Sequence, residues 1–208
     1  MKVSSKITRN RYVFAALIAA LIAVSGFFRV PIPGSLVPVV LKNLFVVLSG
    51  AVLGSFYGGV SIIIFIAAGL LGIPVFVISG GVGVFLTPLG GYIIGYFAAA
   101  LAAGLVCGLP KISEKKIKPG LIIRLCAGSF LGFALIDFCG VFYMMLLNSM
   151  SFKAALLAGL VPYILGDIVK LVISIPLALG LRPIAARYIN PDACGNAQNE
   201  GEKEKSTL

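Results

Sequence analysis

The chain has 208 residues, of which 60% are hydrophobic and only 12% are charged, and its formal net charge is +10. Soluble domains carry about 25% charged residues, so this composition excludes an ordinary water-soluble globular domain. Because the chain contains no histidine, it also excludes histidine-based catalytic triads and histidine-ligated metal sites. We therefore expect neither a metal ion nor a cofactor.

Long apolar runs follow one another along the chain, and each is close to the about 20 residues that cross a bilayer as a helix. They cover residues 13–28, 39–53, 59–73, 92–109, 121–147 and 163–181. The first run exceeds the about 7–15 apolar residues of a signal peptide, so we expect it to be retained. The pattern predicts an all-α polytopic membrane protein with six transmembrane helices. Residues 1–190 would form one membrane domain, and the polar residues 191–208 a disordered cytoplasmic tail.

The basic residues fall into three clusters, which precede the first run, separate the fourth from the fifth, and follow the sixth. They are Lys2, Lys6, Arg9 and Arg11, then Lys111, Lys115, Lys116 and Lys118, then Arg182, Arg187, Lys203 and Lys205. With six crossings the clusters share one side of the membrane, and the positive-inside rule makes that side the cytoplasm. The positive charge thus predicts two cytoplasmic termini and gives no indication of nucleic-acid binding.

Two loops would face the outside. Proline and glycine disfavour helix in the first, residues 29–38. The second, residues 73–88, is uncharged, apolar and rich in glycine, which favours a lid folded over the helix bundle. Close backbone approach there suits Gly80, Gly81 and Gly83. A mobile connector is the alternative.

Charged residues also occur inside the apolar runs. Asp167 and Lys170 are three positions apart, hence on one face of a helix. By their distance from the predicted helix ends, Asp137 and Lys42 lie at a similar depth in the outer part of the membrane. A charge at mid-bilayer costs at least about 2.5–3.5 kcal/mol, so such residues usually serve a site. These side chains predict a pocket for a small molecule with both donors and acceptors. A structural Asp167–Lys170 ion pair and snorkelling of Lys42 are the alternatives.

Small residues recur in the first run: Ala15, Ala19 and Ala23 are spaced by four, beside Ala16 and Ala20. Such spacing lets helix backbones approach closely. It is consistent both with packing inside the bundle and with a docking face for another membrane subunit.

Three stretches, in this order and spacing, resemble the signature segments of the BioY family. They are "VPIPGSLVPVVLKNLFVVLSGAVLG", "IPVFVISGGVGVFLTPLGGYIIGY" and "VPYILGDIVK". Members are the biotin-specific substrate-capture (S) components of energy-coupling-factor (ECF) transporters. The resemblance covers about residues 15–182.

The resemblance implies a six-helix bundle in a prokaryotic cell membrane that binds biotin under an outer loop. It implies docking through the first-helix alanines onto a transmembrane coupling subunit driven by two ATPase subunits. By position, Asp167 and Lys170 match the family's binding pair. Gly80, Gly81, Gly83, Pro88, Gly90, Gly91 and Tyr92 match the lid and the start of the fourth helix. Tyr92 and Tyr163 would contact the apolar thioether ring of biotin.

The chain also departs from the family pattern. It reads "TPLGGY" where relatives commonly read G-P-T-G-G-Y. Lys42 stands where glutamine is usual, and Asp137 where an aromatic residue is usual. These two changes add opposite charges at similar depth, so either they compensate each other or they alter the specificity of the pocket. Compensation predicts that Lys42 and Asp137 are energetically coupled.

The sequence leaves four functional interpretations to weigh. The favoured one is a high-affinity biotin-binding subunit that is not an enzyme. A stand-alone ion-coupled transporter of biotin or a related small carboxylate would use Asp137 or Asp167 as proton carrier. An intramembrane enzyme is disfavoured by the missing histidine, and a scaffold would not be stabilised by any ligand.

Overall fold

The computed structural model describes residues 2–30, 39–76, 80–111 and 118–189. In these ranges the main elements are the helices α1 (Lys2–Ser25), α2 (Lys42–Leu70), α3 (Leu89–Cys107), α4 (Pro119–Leu147), α5 (Phe152–Gly159) and α6 (Ile164–Ile189). A short 3-10 helix, Val82–Leu86, precedes α3. The two-residue strands β1 (Arg29–Val30) and β2 (Val39–Val40) pair antiparallel, with Arg29 opposite Val40. The predicted all-α fold class is confirmed.

Helix α2 is a hairpin rather than one straight rod. Gly54 has φ 80° and ψ 174°, a conformation that is essentially restricted to glycine. Residues eight apart in a straight helix are about 12 Å apart. Here a Cβ atom built on Gly58 would lie 2.7 Å from the Cα of Gly50. The segments 42–53 and 55–70 therefore run antiparallel, which separates the second and third apolar runs of the sequence.

Four helices are long and apolar enough to cross a membrane: α2, α3, α4 and the Ile164–Arg187 part of α6. Helix α1 contributes a shorter apolar segment, Arg11–Ser25. Because α2 folds back at Gly54, the described helices contain one segment for each predicted crossing. The topology of six crossings itself stays a prediction.

Glycines bring α3 close to its neighbours on both sides. A Cβ on Gly50 of α2 would lie 2.9 Å from the carbonyl carbon of Ala100, and one on Gly95 would lie 3.1 Å from the Cα of Ile136 in α4. Small residues permit such close packing of membrane helices. Helix α3 is thereby held between α2 and α4, with its first turns facing both.

The ends of the later helices follow local signals. Pro119 lies in the first turn of α4, where its missing N–H costs nothing. Ser151 caps α5, because its Oγ accepts a hydrogen bond from the amide of Ala154 at 3.3 Å. Helix α6 begins at Ile164, just after Pro162 and close to the predicted start.

Arg182, which belongs to the third basic cluster of the sequence, is buried. Its side chain is only 1% exposed, and it donates hydrogen bonds to the carbonyl oxygens of Ala51, Cys107, Gly108 and Leu109. These carbonyls lie where the first half of α2 and the whole of α3 end, so they lack helical partners. Arg182 of α6 thus caps two helix ends at once.

Some predictions fall outside the described residues. They concern residues 31–38 of the first outward loop, residues 77–79 of the second, the central lysines of the 112–117 segment, and the tail at 191–208.

Candidate functional site

The pair that the α6 sequence predicted is formed. The Nζ of Lys170 donates a hydrogen bond to Oδ1 of Asp167 at 2.9 Å, and the residues are 6% and 9% exposed. Oδ2 of Asp167 is buried, and among the described residues it has no hydrogen-bond partner. An unsatisfied buried carboxylate oxygen costs stability, so this atom is a candidate acceptor for a ligand.

Asp137 of α4 lies next to this pair. It interacts electrostatically with both Asp167 and Lys170, and it lines the cavities on both sides of them. Three of the four predicted membrane charges therefore come together, at the end of the bundle that holds the start of α3 and of α6. The cluster contains two carboxyl groups and one amino group.

A small cavity of about 20 Å³ adjoins Lys170, and we call it the polar cavity. It is lined by Val40, Asn43, Leu89, Tyr92, Tyr96, Asp137, Tyr163 and Lys170. About 10–15 Å³ suffices for one water molecule, so the cavity in this form is too small for a ligand of many atoms. A larger ligand would have to displace side chains or the adjoining segments.

Four of the polar cavity's residues were not predicted from the sequence, namely Val40, Asn43, Leu89 and Tyr96, and two of them carry polar side chains. The hydroxyl of Tyr96 donates to Oδ1 of Asn43 at 3.0 Å, which joins α3 to α2. Tyr96 is one turn after Tyr92, and Asn43 is an isolated amide in an apolar run. Both patterns are signals that the sequence already contained.

The ring of Tyr92 is held firmly. Its hydroxyl donates to the carbonyl oxygen of Gly159 at 2.9 Å, at the end of α5. A Cβ on Gly140 would overlap this ring. Tyr92 and Tyr163 are both buried against the polar cavity, as a role in ligand contact would require.

Lys42 has different partners from those that the sequence predicted. Its Nζ donates to the carbonyl oxygen of Val75 at 2.6 Å and lies 4.9 Å from the ring centre of Phe65. The ammonium group is thus held by a carbonyl and a cation–π contact. Among the described residues, no hydrogen bond or ion pair joins Lys42 to Asp137. Lys42 does not line the polar cavity, whereas its neighbour Asn43 does.

The glycine-rich loop packs against α2 and α3. The Gly81 amide donates to the carbonyl of Gly69 at 2.7 Å, and its φ of 90° explains the need for glycine. Gly83 has no such requirement, because a Cβ there would be 4 Å or more from its neighbours. Neither glycine lines the polar cavity. Their predicted role in binding, like the closing of the loop as a lid, stays a prediction.

The alanines of α1 divide into two groups. Ala15 and Ala19 are buried inside the bundle, whereas Ala16 and Ala20 are exposed and Ala23 is half-buried. The exposed pair is spaced by one helical turn and forms a narrow small-residue stripe beside bulky exposed residues such as Leu17. The buried alanines can therefore serve packing inside the bundle, and the exposed alanines are available for docking on another membrane subunit.

The comparisons with known proteins agree on one family. The model of the BioY family matches residues 1–187. The probable biotin transporter BioY of Lysinibacillus sphaericus is 41% identical over 104 residues, which are 50% of this chain and 52% of that protein. The biotin transporter BioY of Thermotoga maritima is 32% identical over 171 residues, 82% of this chain and 94% of that protein.

A solved structure shares the fold. It is the crystal structure at 2.1 Å of the S-component for biotin from an ECF-type ABC transporter. The TM-score is 0.75 at 27% identity, and the superposition covers 88% of this chain and 94% of the other.

Proposed function

The chain belongs to the BioY family, and on that premise we propose that it is the high-affinity biotin-binding membrane subunit of an ATP-driven ECF-type uptake transporter. The observation that carries the proposal is the buried Asp167–Lys170 pair beside a cavity lined by tyrosines, with a carboxylate oxygen that has no hydrogen-bond partner in the described part of the chain. The similarity to a biotin S-component favours this function over a stand-alone ion-coupled transporter.

The polar groups suit the head of biotin. Its ureido ring carries two N–H donors and one carbonyl acceptor. Asp167 would accept from the N–H groups, and Lys170 would donate to the ureido or the carboxylate oxygen. Tyr92 and Tyr163 offer apolar ring surface for the thioether ring.

Binding requires the polar cavity to open. The segment that holds Val40 and Asn43 and the turn that holds Tyr163 both line the cavity. Their separation would admit the ligand, and reclosure would bury it. The loop at 73–88, which includes Gly81 and Gly83, would act as the lid. Lys42 of α2, whose Nζ donates to the carbonyl of Val75 in this loop, is a candidate donor to the ligand's carboxylate.

The remaining surfaces fit a subunit of a larger transporter. We assign the exposed stripe of Ala16 and Ala20, continued by Ala23, to docking on a transmembrane coupling subunit, which two ATPase subunits would drive. The protein would cross the prokaryotic cell membrane six times, with both termini in the cytoplasm, as its basic clusters predict.

The direct test is isothermal titration calorimetry of the full chain, purified in detergent, with biotin. We expect saturable binding at a single site. A matched titration with biotin in which both ureido nitrogens are methylated should show no binding, since that ligand cannot donate to Asp167. The absence of heat with biotin itself, from protein that remains folded, would contradict the proposal.

A further inference from the structure

Helices α4, α5 and α6 leave a groove of about 360 Å³ between them, which we call the lateral groove. Its walls are apolar side chains such as Phe130, Phe138, Phe152, Leu156, Ile164 and Ile168. Phe138, Phe152 and Ile168 are each more than half exposed. In a protein that spans a bilayer, the groove therefore opens sideways toward the lipid chains. Its volume lies within the about 300–1,000 Å³ of small-molecule sites.

Two acidic residues from different helices, Asp137 and Asp167, are the polar members of this apolar lining. Asp167 is 9% exposed, and its Oδ2 is the buried atom that lacks a hydrogen-bond partner among the described residues. Acidic residues are rarely placed next to lipid without a function, because their burial there is costly. The lateral groove thus combines apolar walls with an acidic end at which, within the described ranges, one carboxylate oxygen has no hydrogen-bond partner.

The charges around this end do not balance. Lys170 is the amino group that faces the two carboxyl groups, and its Nζ already binds Oδ1 of Asp167 at 2.9 Å. Lys42 is held elsewhere, by Val75 and Phe65. The side chains that face the cluster from α3 are Tyr92 and Tyr96, which are uncharged donors. The Asp137 and Asp167 carboxyl groups also lie within hydrogen-bond reach of each other. Counting the described residues, one negative charge is therefore left for a ligand or a shared proton to neutralise when both carboxylates are ionised.

A primary ammonium group matches this end of the groove. It brings one positive charge and three N–H donors, which can bond carboxylates of two helices at the same time. The apolar walls would accept a hydrocarbon chain attached to it. We propose that the lateral groove is a second small-molecule site, which takes an amphiphile with a primary ammonium head and holds the head between Asp137 and Asp167.

This site differs from the proposed biotin site in most of its lining, although Asp137 lines both cavities and Asp167 would serve both ligands. Lys170 and the tyrosines line the polar cavity, whereas the phenylalanines of α4 and α5 line the lateral groove. Occupation of the groove does not require that biotin binds. A proton shared by Asp137 and Asp167 is the competing explanation for the charge balance, and the experiment below distinguishes the two.

The absence of tryptophan from the chain makes a direct assay possible. Phe138→Trp would place a single fluorescent reporter in the wall of the lateral groove. Bromohexylamine should quench this reporter saturably, at concentrations roughly tenfold or more below those needed for bromohexanol, which has the same chain without the charge. Phe56→Trp, at an exposed position of α2 outside the groove, controls for bromohexylamine or bromohexanol that is merely dissolved in the detergent micelle. Both compounds should quench that variant equally and without saturation.

The role of the acidic end is tested in the Phe138→Trp background. Asp137→Asn should raise the half-saturating bromohexylamine concentration roughly tenfold or more. Asp137→Glu keeps the charge, so its half-saturating concentration should stay close to that of the Phe138→Trp protein. Equal quenching by the amine and the alcohol, or an Asp137→Asn variant with unchanged amine quenching, would overturn the proposal in favour of a shared proton. Biotin calorimetry on the same protein reports separately on the proposed function.

Discussion

The Nζ of Lys42 donates a hydrogen bond to the carbonyl oxygen of Val75 at 2.6 Å, across 33 positions of the chain. The same ammonium group lies 4.9 Å from the ring centre of Phe65. Both partners come from the second half of α2 and the loop that follows it. Lys42 therefore ties the start of α2 to the base of the glycine-rich loop instead of neutralising Asp137.

These partners reverse the expected coupling of Lys42 with Asp137. The effects of Lys42→Gln and Asp137→Tyr on the free energy of unfolding should add within about 0.5 kcal/mol, because no direct bond joins the two side chains in the described structure. The cycle of Asp167→Asn with Lys170→Met is the matched control and should show coupling of about 0.5–3 kcal/mol. A Lys42–Asp137 interaction energy as large as that of the control pair would show that the two residues are coupled, as the sequence predicted.

Arg182 should be important for stability although it is remote from the ligand site. Arg182→Met strands carbonyls at the ends of two helices, and each buried group left unpaired costs about 1–3 kcal/mol. Arg182→Lys should recover only part of the lost stability, because an ammonium group lacks the forked N–H donors that reach several carbonyls at once. Thermal denaturation in detergent measures the loss, with exposed Arg187→Met as the control. Equal melting temperatures for the three variants would mean that Arg182 does not cap these helices.

Gly54 should not tolerate a side chain. Its φ of 80° with ψ of 174° belongs to a region that costs other residues about 1–3 kcal/mol. A Cβ there would also lie 2.9 Å from Cδ2 of Leu109. Gly54→Ala should therefore lower the melting temperature, whereas Gly180→Ala, where the space is open, should leave it unchanged or raise it. If both variants melt alike, α2 does not turn at Gly54 in the way described.

The alanine stripe of α1 predicts a separation of binding from uptake. Ala16→Trp should abolish biotin uptake by cells that contain the coupling subunits, and leave biotin binding by the purified protein intact. Leu17→Trp, on the exposed face beside the stripe, should preserve both. Ala19→Trp, at a buried position, should instead destabilise the protein. Normal uptake by the Ala16→Trp variant would exclude a docking role for this stripe.

The parts of the site that the sequence predicted are local. The spacing of Asp167 and Lys170 is enough to place them on one face, because a helix repeats every 3.6 residues. The break between the second and third apolar runs was likewise visible, and the structure places it at Gly54. Asp137 was placed at the same depth by counting residues from the helix start.

The parts that the sequence did not predict depend on contacts between distant segments. Arg182 binds the carbonyl of Ala51, 131 residues away, and Tyr96 binds Asn43, 53 residues away. Which helices pack side by side decides these partners, and hydrophobic periodicity does not encode that choice. The position of Arg182 after the last apolar run assigned it to a basic cluster on one side of the membrane, and that pattern does not indicate whether the side chain is buried.

The Asp167–Lys170 pair is the proposed binding site for the head of biotin. Calorimetry of biotin with Asp167→Asn and with Lys170→Met tests it most directly, with exposed Lys153→Met as the control and melting curves to show that each variant is folded. Charged hydrogen bonds contribute about 1.5–3 kcal/mol, so each of the two site variants should bind biotin roughly tenfold or more weakly. The control should match the unchanged protein. Unaltered affinity in both folded site variants would show that the pair is only structural, and would contradict this account of the site.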